Sequence, residues 1–168
     1  MNRRHFLKST VGSGIVLTSG CLNQSLSNKK FSHPSYNEYK SQPRLGPELS
    51  ENTPFIISFE DLSCPSCKHF HENTYSQLKE QYIDEGELSF VFRFVGFVQP
   101  WGDTAAKIQE AVYDKKSEKV FDIINSFYDR QSDIIQSNVY DISREILDEN
   151  DLDSESIINE VQNGNYTD

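Results

Sequence analysis

Positive charge is what this sequence lacks most. It holds 16 Lys and Arg against 26 Asp and Glu, a formal net charge of −10. Three of those bases, Arg3, Arg4 and Lys8, lie in the first 21 residues, which contain no acid, so the rest of the chain carries 13 basic and 26 acidic residues. Without a basic face there is nothing to lay against a phosphate backbone, and nucleic-acid binding is excluded as a function. An acidic surface of this kind serves ordinary solubility and would equally suit a salty medium. A membrane-spanning run near the N-terminus is missing too: the apolar stretch over residues 11–17 is far shorter than the roughly 20 residues a spanning helix needs. Cysteine is scarce, with Cys64 and Cys67 as a pair and Cys21 left over. The residue after Cys67 is Lys68 rather than His, which excludes haem attachment at this pair.

Apolar and aromatic residues, by contrast, are plentiful enough for a core: 36% and 12% of the chain, with 11 Phe. The run over residues 54–59, Pro-Phe-Ile-Ile-Ser-Phe, is β-branched and aromatic and predicts a buried strand, closed by a turn-like Glu60-Asp61. Cys64-Pro65-Ser66-Cys67 follows at once. Ser63 is the expected N-cap, and Pro65 fits the first helical turn, where a missing N–H is harmless. Helical spacing continues through Phe70, Tyr75, Leu78 and Tyr82 to about Ile83, and Gly86 stops it. Residues 88–95 predict a second strand covered on both faces. Strand, helix and strand of these lengths make a right-handed unit with a parallel pair.

A Cys-x-x-Cys on the first turn of a helix places one sulfur beside unpaired backbone N–H groups and the positive end of the helix dipole. That setting favours a thiolate, the form that attacks disulfides. Two other readings of the pair stand beside this one. It could be a structural disulfide, or part of a metal site with His69 or His71. His69 and His71 point about 200° apart on one helix, so they could not both reach one metal; Cys67 and His71, at i and i+4, could. Solvated helix positions are the plainer expectation for both histidines.

Residues 1–21 read as an export signal. Arg3-Arg4-His5-Phe6-Leu7-Lys8 resembles the twin-arginine signal, with Asn2 in place of the usual Ser or Thr, and a mildly apolar stretch follows. Leu17-Thr18-Ser19-Gly20-Cys21 resembles a lipobox with Thr18 at the usual Leu position, which makes Cys21 the expected lipidation site and membrane anchor. Residues 22–53, with Pro34, Pro43 and Pro47 and no sustained period, predict a flexible linker. Asn23-Gln24-Ser25 and Asn165-Tyr166-Thr167 are glycosylation sequons that arise readily by chance.

The segments Asp61-Leu62-Ser63-Cys64-Pro65-Ser66-Cys67, Tyr82-Ile83-Asp84-Glu85-Gly86 and Phe90-Val91-Phe92-Arg93 together resemble the DsbA-like branch of the thioredoxin superfamily, with Leu62 where an aromatic is usual. The resemblance implies a thioredoxin-like α/β fold: a redox unit over 54–98, then a helical insertion subdomain over 99–168, incomplete at the C-terminus. Cys64 would be the nucleophile and Cys67 the resolving thiol of a redox-active disulfide, with Pro65 and Ser66 between them tuning its potential. No cofactor or metal is implied. Partners would be cysteine-containing exported proteins and a membrane or extracytoplasmic redox partner. Apolar stripes at 105–112, 120–128, 139–147 and 157–161 fit the insertion, with Asp103 as the expected cap of its first helix. Trp101 is expected either beside the sulfurs or as an anchor for that helix. In the family a cis-proline loop and a hairpin follow the insertion. Here only Pro65 and Pro100 lie at or beyond the motif, and neither matches that loop. The alternative functions are a non-catalytic surface lipoprotein and a metal-handling protein.

Overall fold

The computed structural model describes residues 34–50 and 52–166, so Cys21, the export signal and most of the predicted linker lie outside the described residues. Two units are distinguished. Of the one reaching to Tyr36, a single 3-10 turn over Pro34–Tyr36 is described, and the second begins at Asn37.

Within the second unit, the expected strand, helix and strand are present. β2 (Phe55–Glu60) and β3 (Ser89–Phe94) pair in parallel, Phe55 opposite Ser89 through Glu60 opposite Phe94. β3 is buried from Ser89 to Phe92, which is why it reads as a nearly continuous apolar run rather than an alternating one. A third strand, β1 (Arg44–Leu45), lies antiparallel on the other side of β3, giving the order β1-β3-β2.

β1 lies within residues 22–53, the segment expected as a linker, so part of that segment is a strand of the sheet. Two residues are too short to display a period of two, and the neighbouring prolines made the segment look irregular. Those prolines lose only donors that an edge does not use, while their carbonyls accept: Phe92 N–H donates to Pro43 O at 2.9 Å, and the Ser89 hydroxyl donates to Pro47 O. Gly46 makes the turn between them with φ +87, and a Cβ there would stand 2.2 Å from Leu88 O.

The helix after β2 runs to Ile83 as expected, but not as uniform α-helix. α1 (Pro65–Phe70) passes through a π turn (His71–Tyr75), α2 (Ser76–Leu78) and a second π turn (Lys79–Ile83). Phe70 and Tyr75 from this run pack on Phe90 at ring-centroid distances of 6.3 and 5.1 Å. The insertion comprises α3 (Gly102–Lys116), α4 (Val120–Asp129), α5 (Val139–Glu149) and α6 (Ser154–Gln162). Their apolar stripes close a core in which Ile123, Ile124, Phe127, Ile146 and Ile158 are fully buried. Side chains of that size each contribute about 1.5–3 kcal/mol by leaving water. Asp103 is not the cap of α3, since Trp101 holds that position; Asp103 sits in the first turn, where its charge suits the dipole and meets Lys107 at 2.6 Å.

Candidate active site

The sulfur pair is positioned by three buried residues, Asp61, Leu62 and Ser63, that join β2 to the helix. Cys64, not Ser63, occupies the N-cap, with φ −89 and ψ 118, and Pro65 begins the helix. Cys64 N–H turns back to Asp61 O at 2.9 Å. The Ser63 hydroxyl is engaged elsewhere. It donates to Asp61 Oδ1 at 2.6 Å and accepts from Gln99 N–H at 3.0 Å.

Asp61 is the centre of this knot. Its carboxylate is 1% exposed and accepts four bonds: Ser63 N–H and hydroxyl on Oδ1, and Phe97 N–H (2.9 Å) and Val98 N–H (2.8 Å) on Oδ2. A buried carboxylate with every lone-pair direction used is a stable arrangement, and here it ties the sulfur loop to the chain leaving β3. Gly102 packs directly on it; a Cβ there would lie 2.7 Å from Ser63 Oγ and 2.9 Å from Asp61 Oδ1. From the insertion, Gln131 Nε2 donates to Leu62 O (2.7 Å) and Cys64 O (3.1 Å).

Cys64 and Cys67 are both half-buried free thiols, with Pro65 and Ser66 exposed between them. Burial pushes the Cys67 thiol from its ordinary 9.0 up to about 11. The amide of Asp61 opposes that shift, while a hydrogen bond with the Cys64 thiol and the nearby charge of Glu60 add to it. The two sulfurs are thus brought together, and one of them is held protonated.

Glu60 was missed as a functional residue. It is 2% exposed, and its Oε2 accepts from the Tyr128 hydroxyl at 3.0 Å while Oε1 accepts from Ser58 Oγ. Burial, and then Glu60 itself, push the Tyr128 phenol well above its ordinary value. Glu60-Asp61 read as a polar pair closing a strand, that is, as a turn. The signal that could have found Glu60 is period two counted from Ile56, which puts Ser58 and Glu60 on one face of β2, in register with Phe92 and Phe94.

His71 is buried, contrary to the solvated position expected of it. Its ring stacks between Tyr75 (4.7 Å) and Tyr128 (4.8 Å), and Nε2 meets Asn125 Oδ1 at 2.7 Å. The aromatic neighbours on α4 claimed it, and they were invisible to local spacing. His69 is exposed and shares the Asn73 side chain at 3.2 Å. Its other ring nitrogen, Nδ1, is buried with no hydrogen-bond partner, and no cluster of three side chains that could hold a metal occurs among the described residues. Trp101 is 4% exposed at the start of α3 and walls a cavity of about 550 Å³ that Pro65 also lines. Among the described residues no helix is long and apolar enough to cross a membrane.

Comparison with known proteins agrees with this geometry. The family described as Thioredoxin matches residues 40–167. The chain is 28% identical to disulfide bond formation protein D of Bacillus subtilis over 135 residues, which is 73% of this chain and 60% of that protein. The chain therefore spans about three fifths of the length of this relative. The oxidised crystal structure of BdbD from Bacillus subtilis superposes with a TM-score of 0.61 at 23% identity, covering 76% of this chain and 69% of the other. The crystal structure of Chlamydia trachomatis DsbA gives 0.62 at 18%, over 76% and 69%. At these identities the structures speak for the fold: a thioredoxin-like sheet and helix with a helical insertion.

Proposed function

The chain belongs to the thioredoxin family, and from that premise we propose that it is a DsbA-like thiol–disulfide oxidoreductase acting on protein cysteines through the Cys64–Cys67 pair. The observation that carries this is the pair itself: two half-buried free thiols just after β2, Cys64 at the helix N-cap and Cys67 in the first turn. Disulfide exchange needs one accessible sulfur and one that stays behind. Cys64, at the helix start where backbone N–H groups are unpaired, is the nucleophile. Cys67, its thiolate disfavoured by burial, is the resolving thiol. Pro65 and Ser66, between the sulfurs, set the spacing that tunes the potential.

In the oxidised protein the two sulfurs share one bond. A substrate thiolate attacks Cys64 Sγ, the Cys64–Cys67 bond breaks, and Cys67 leaves and takes up a proton. A second substrate thiolate then attacks the first substrate sulfur and expels Cys64, so the substrate is oxidised by two electrons and the pair reduced by two. The same steps reversed reduce a substrate disulfide. Exported proteins with cysteines are the substrates, and a membrane or extracytoplasmic redox partner restores the pair. The twin-arginine-like signal and the lipobox-like residues before Cys21 support export and a lipid anchor at the outer face of the cytoplasmic membrane, in a compartment where disulfides persist.

The test is stoichiometric: the oxidised protein is mixed with a two-cysteine peptide, and the peptide disulfide is quantified with the loss of the Cys64–Cys67 bond. Equal molar transfer, abolished by Cys64→Ser, is expected. Transfer no greater than in the Cys64→Ser variant would leave a non-catalytic surface protein as the function.

A further inference from the structure

Gln131 opens a short 3-10 turn, Gln131–Asp133, just after α4, and its half-buried side chain reaches back from the insertion to the sulfur turn. Nε2 donates to Leu62 O at 2.7 Å and to Cys64 O at 3.1 Å. Both partners are carbonyl oxygens, which only accept, so the amide must face them with its NH2 end. The two contacts differ in what they satisfy. Leu62 is 1% exposed, and its carbonyl needs a donor. Cys64 O has one already, because Lys68 N–H donates to it at 3.1 Å along the helix. The second donor on Cys64 O is therefore more than the backbone requires, and it falls on the residue that does the chemistry.

The reach is held from both sides. Arg130, beside Gln131, is paired with Glu145 and, at 3.9 Å, with Glu149 of α5. Tyr128 is fixed at its carbonyl by Lys68 Nζ (2.6 Å) and at its hydroxyl by Glu60 (3.0 Å). Pro65 is why a donor from outside the helix matters. A proline has no N–H, so a helix that begins at Pro65 presents one backbone donor fewer beside Cys64. The oxygen of Cys64 carries partial negative charge close to its own sulfur. A thiolate feels that charge more than a neutral disulfide does, so a donor that draws charge from the oxygen favours the thiolate.

We propose that Gln131 is a positioning residue of the sulfur pair: by holding Leu62 O and Cys64 O it favours the reduced, thiolate-bearing state over the Cys64–Cys67 disulfide and makes the disulfide a stronger oxidant. The inference rests on the oxidoreductase function and adds a residue of the insertion to the groups that set its redox equilibrium. Gln131 acts through the Cys64 carbonyl and touches no substrate in doing so.

The test is a glutathione equilibrium. The protein disulfide and two reduced glutathione molecules exchange for the Cys64–Cys67 dithiol and one glutathione disulfide. Two electrons move, the glutathione thiols supply both protons, and a thiolate at Cys64 returns one of them to solvent. The midpoint is the ratio of squared reduced to oxidised glutathione at which half of the protein is oxidised. Gln131→Met keeps the length and removes the donor. Its midpoint is expected to rise about three- to tenfold, the worth of one net hydrogen bond felt by one redox state and not the other. Gln131→Glu, which brings a carboxylate to the same oxygens, should raise it further. Gln131→Lys restores a donor with a positive charge and should bring the midpoint to the wild-type value or below. Gln136→Met, the same change at an exposed amide on the wall of the same cavity, should leave it unmoved. A residue that only braces the fold would lower the urea midpoint and leave the glutathione midpoint within about twofold of wild type, and that result for Gln131→Met would overturn the inference with the function intact. The opposite signs expected for Glu and Lys decide the matter even where Gln131→Met does not fold: shifts of one sign in both variants would also overturn it. A wild-type chain that forms no Cys64–Cys67 bond at any ratio would remove the function, and this inference with it.

Discussion

Cys67 is the residue whose chemistry is set most plainly by its surroundings. Burial raises its thiol to about 11 from an ordinary 9.0, and Glu60 contributes a further electrostatic push. Iodoacetamide at pH 8 is therefore expected to modify reduced Cys67 slowly, with the rate rising only as pH approaches 11. Glu60→Gln removes the charge while leaving Tyr128 an acceptor, so the midpoint of the Cys67 profile should move to lower pH; an unchanged or higher midpoint would contradict this placement of Glu60. The linkage to stability has a definite sign. Because the folded value exceeds the unfolded one, the contribution from this thiol is complete below pH 9 and is lost as pH rises from 9 to 11. Denaturant midpoints of the reduced protein across that window measure it.

At the scale of elements, the joint between β2 and the helix matters most. Asp61 accepts four donors, so Asp61→Ala leaves the N–H and hydroxyl of buried Ser63, and the N–H groups of Phe97 and Val98 in the exposed loop, without their acceptor. Ser63 is buried, and each unpaired buried group there costs about 1–3 kcal/mol, which predicts a loss of about 2 kcal/mol or more in urea unfolding, and a sulfur loop free to move. A loss below about 1 kcal/mol would mean the knot carries no weight. β1 makes a second prediction. Gly46→Ala forces a Cβ against Leu88 O at a positive φ and should destabilise by about 2 kcal/mol or more, read as a lower thermal midpoint.

These elements also mark where the sequence was legible. The strand, the Cys-x-x-Cys, the helix to Ile83 and the second strand follow from local pattern: β-branched runs, a proline at the first helical position and a glycine stop. What local pattern did not reveal depends on partners far along the chain. The burial of His71 comes from Tyr128 and Asn125, more than fifty residues away. The role of Asp61 comes from backbone groups at 97–98, and β1 is too short to have a period. Glu60 lay between these cases, visible to a count of strand parity yet read as a turn because its polarity outweighed its register.

The whole molecule couples a small sheet to a helical layer, with the sulfur pair at their junction. Gln131 reaches back from the insertion to the carbonyls of Leu62 and Cys64, Tyr128 reaches Glu60, and Trp101 walls the cavity beside Pro65. The surroundings of the sulfur pair are therefore not built by the strand–helix unit alone. Trp101 is the single tryptophan of the chain, so its fluorescence reports on that junction without interference. The most direct measurement of the central claim is to equilibrate the protein across a series of reduced-to-oxidised glutathione ratios, follow Trp101 emission, and map the disulfide by mass spectrometry. The expected result is a single two-electron transition whose product is a bond between Cys64 and Cys67, absent from Cys64→Ser. Thiols that stay unlinked at every ratio, or oxidation that yields only glutathione adducts, would contradict it.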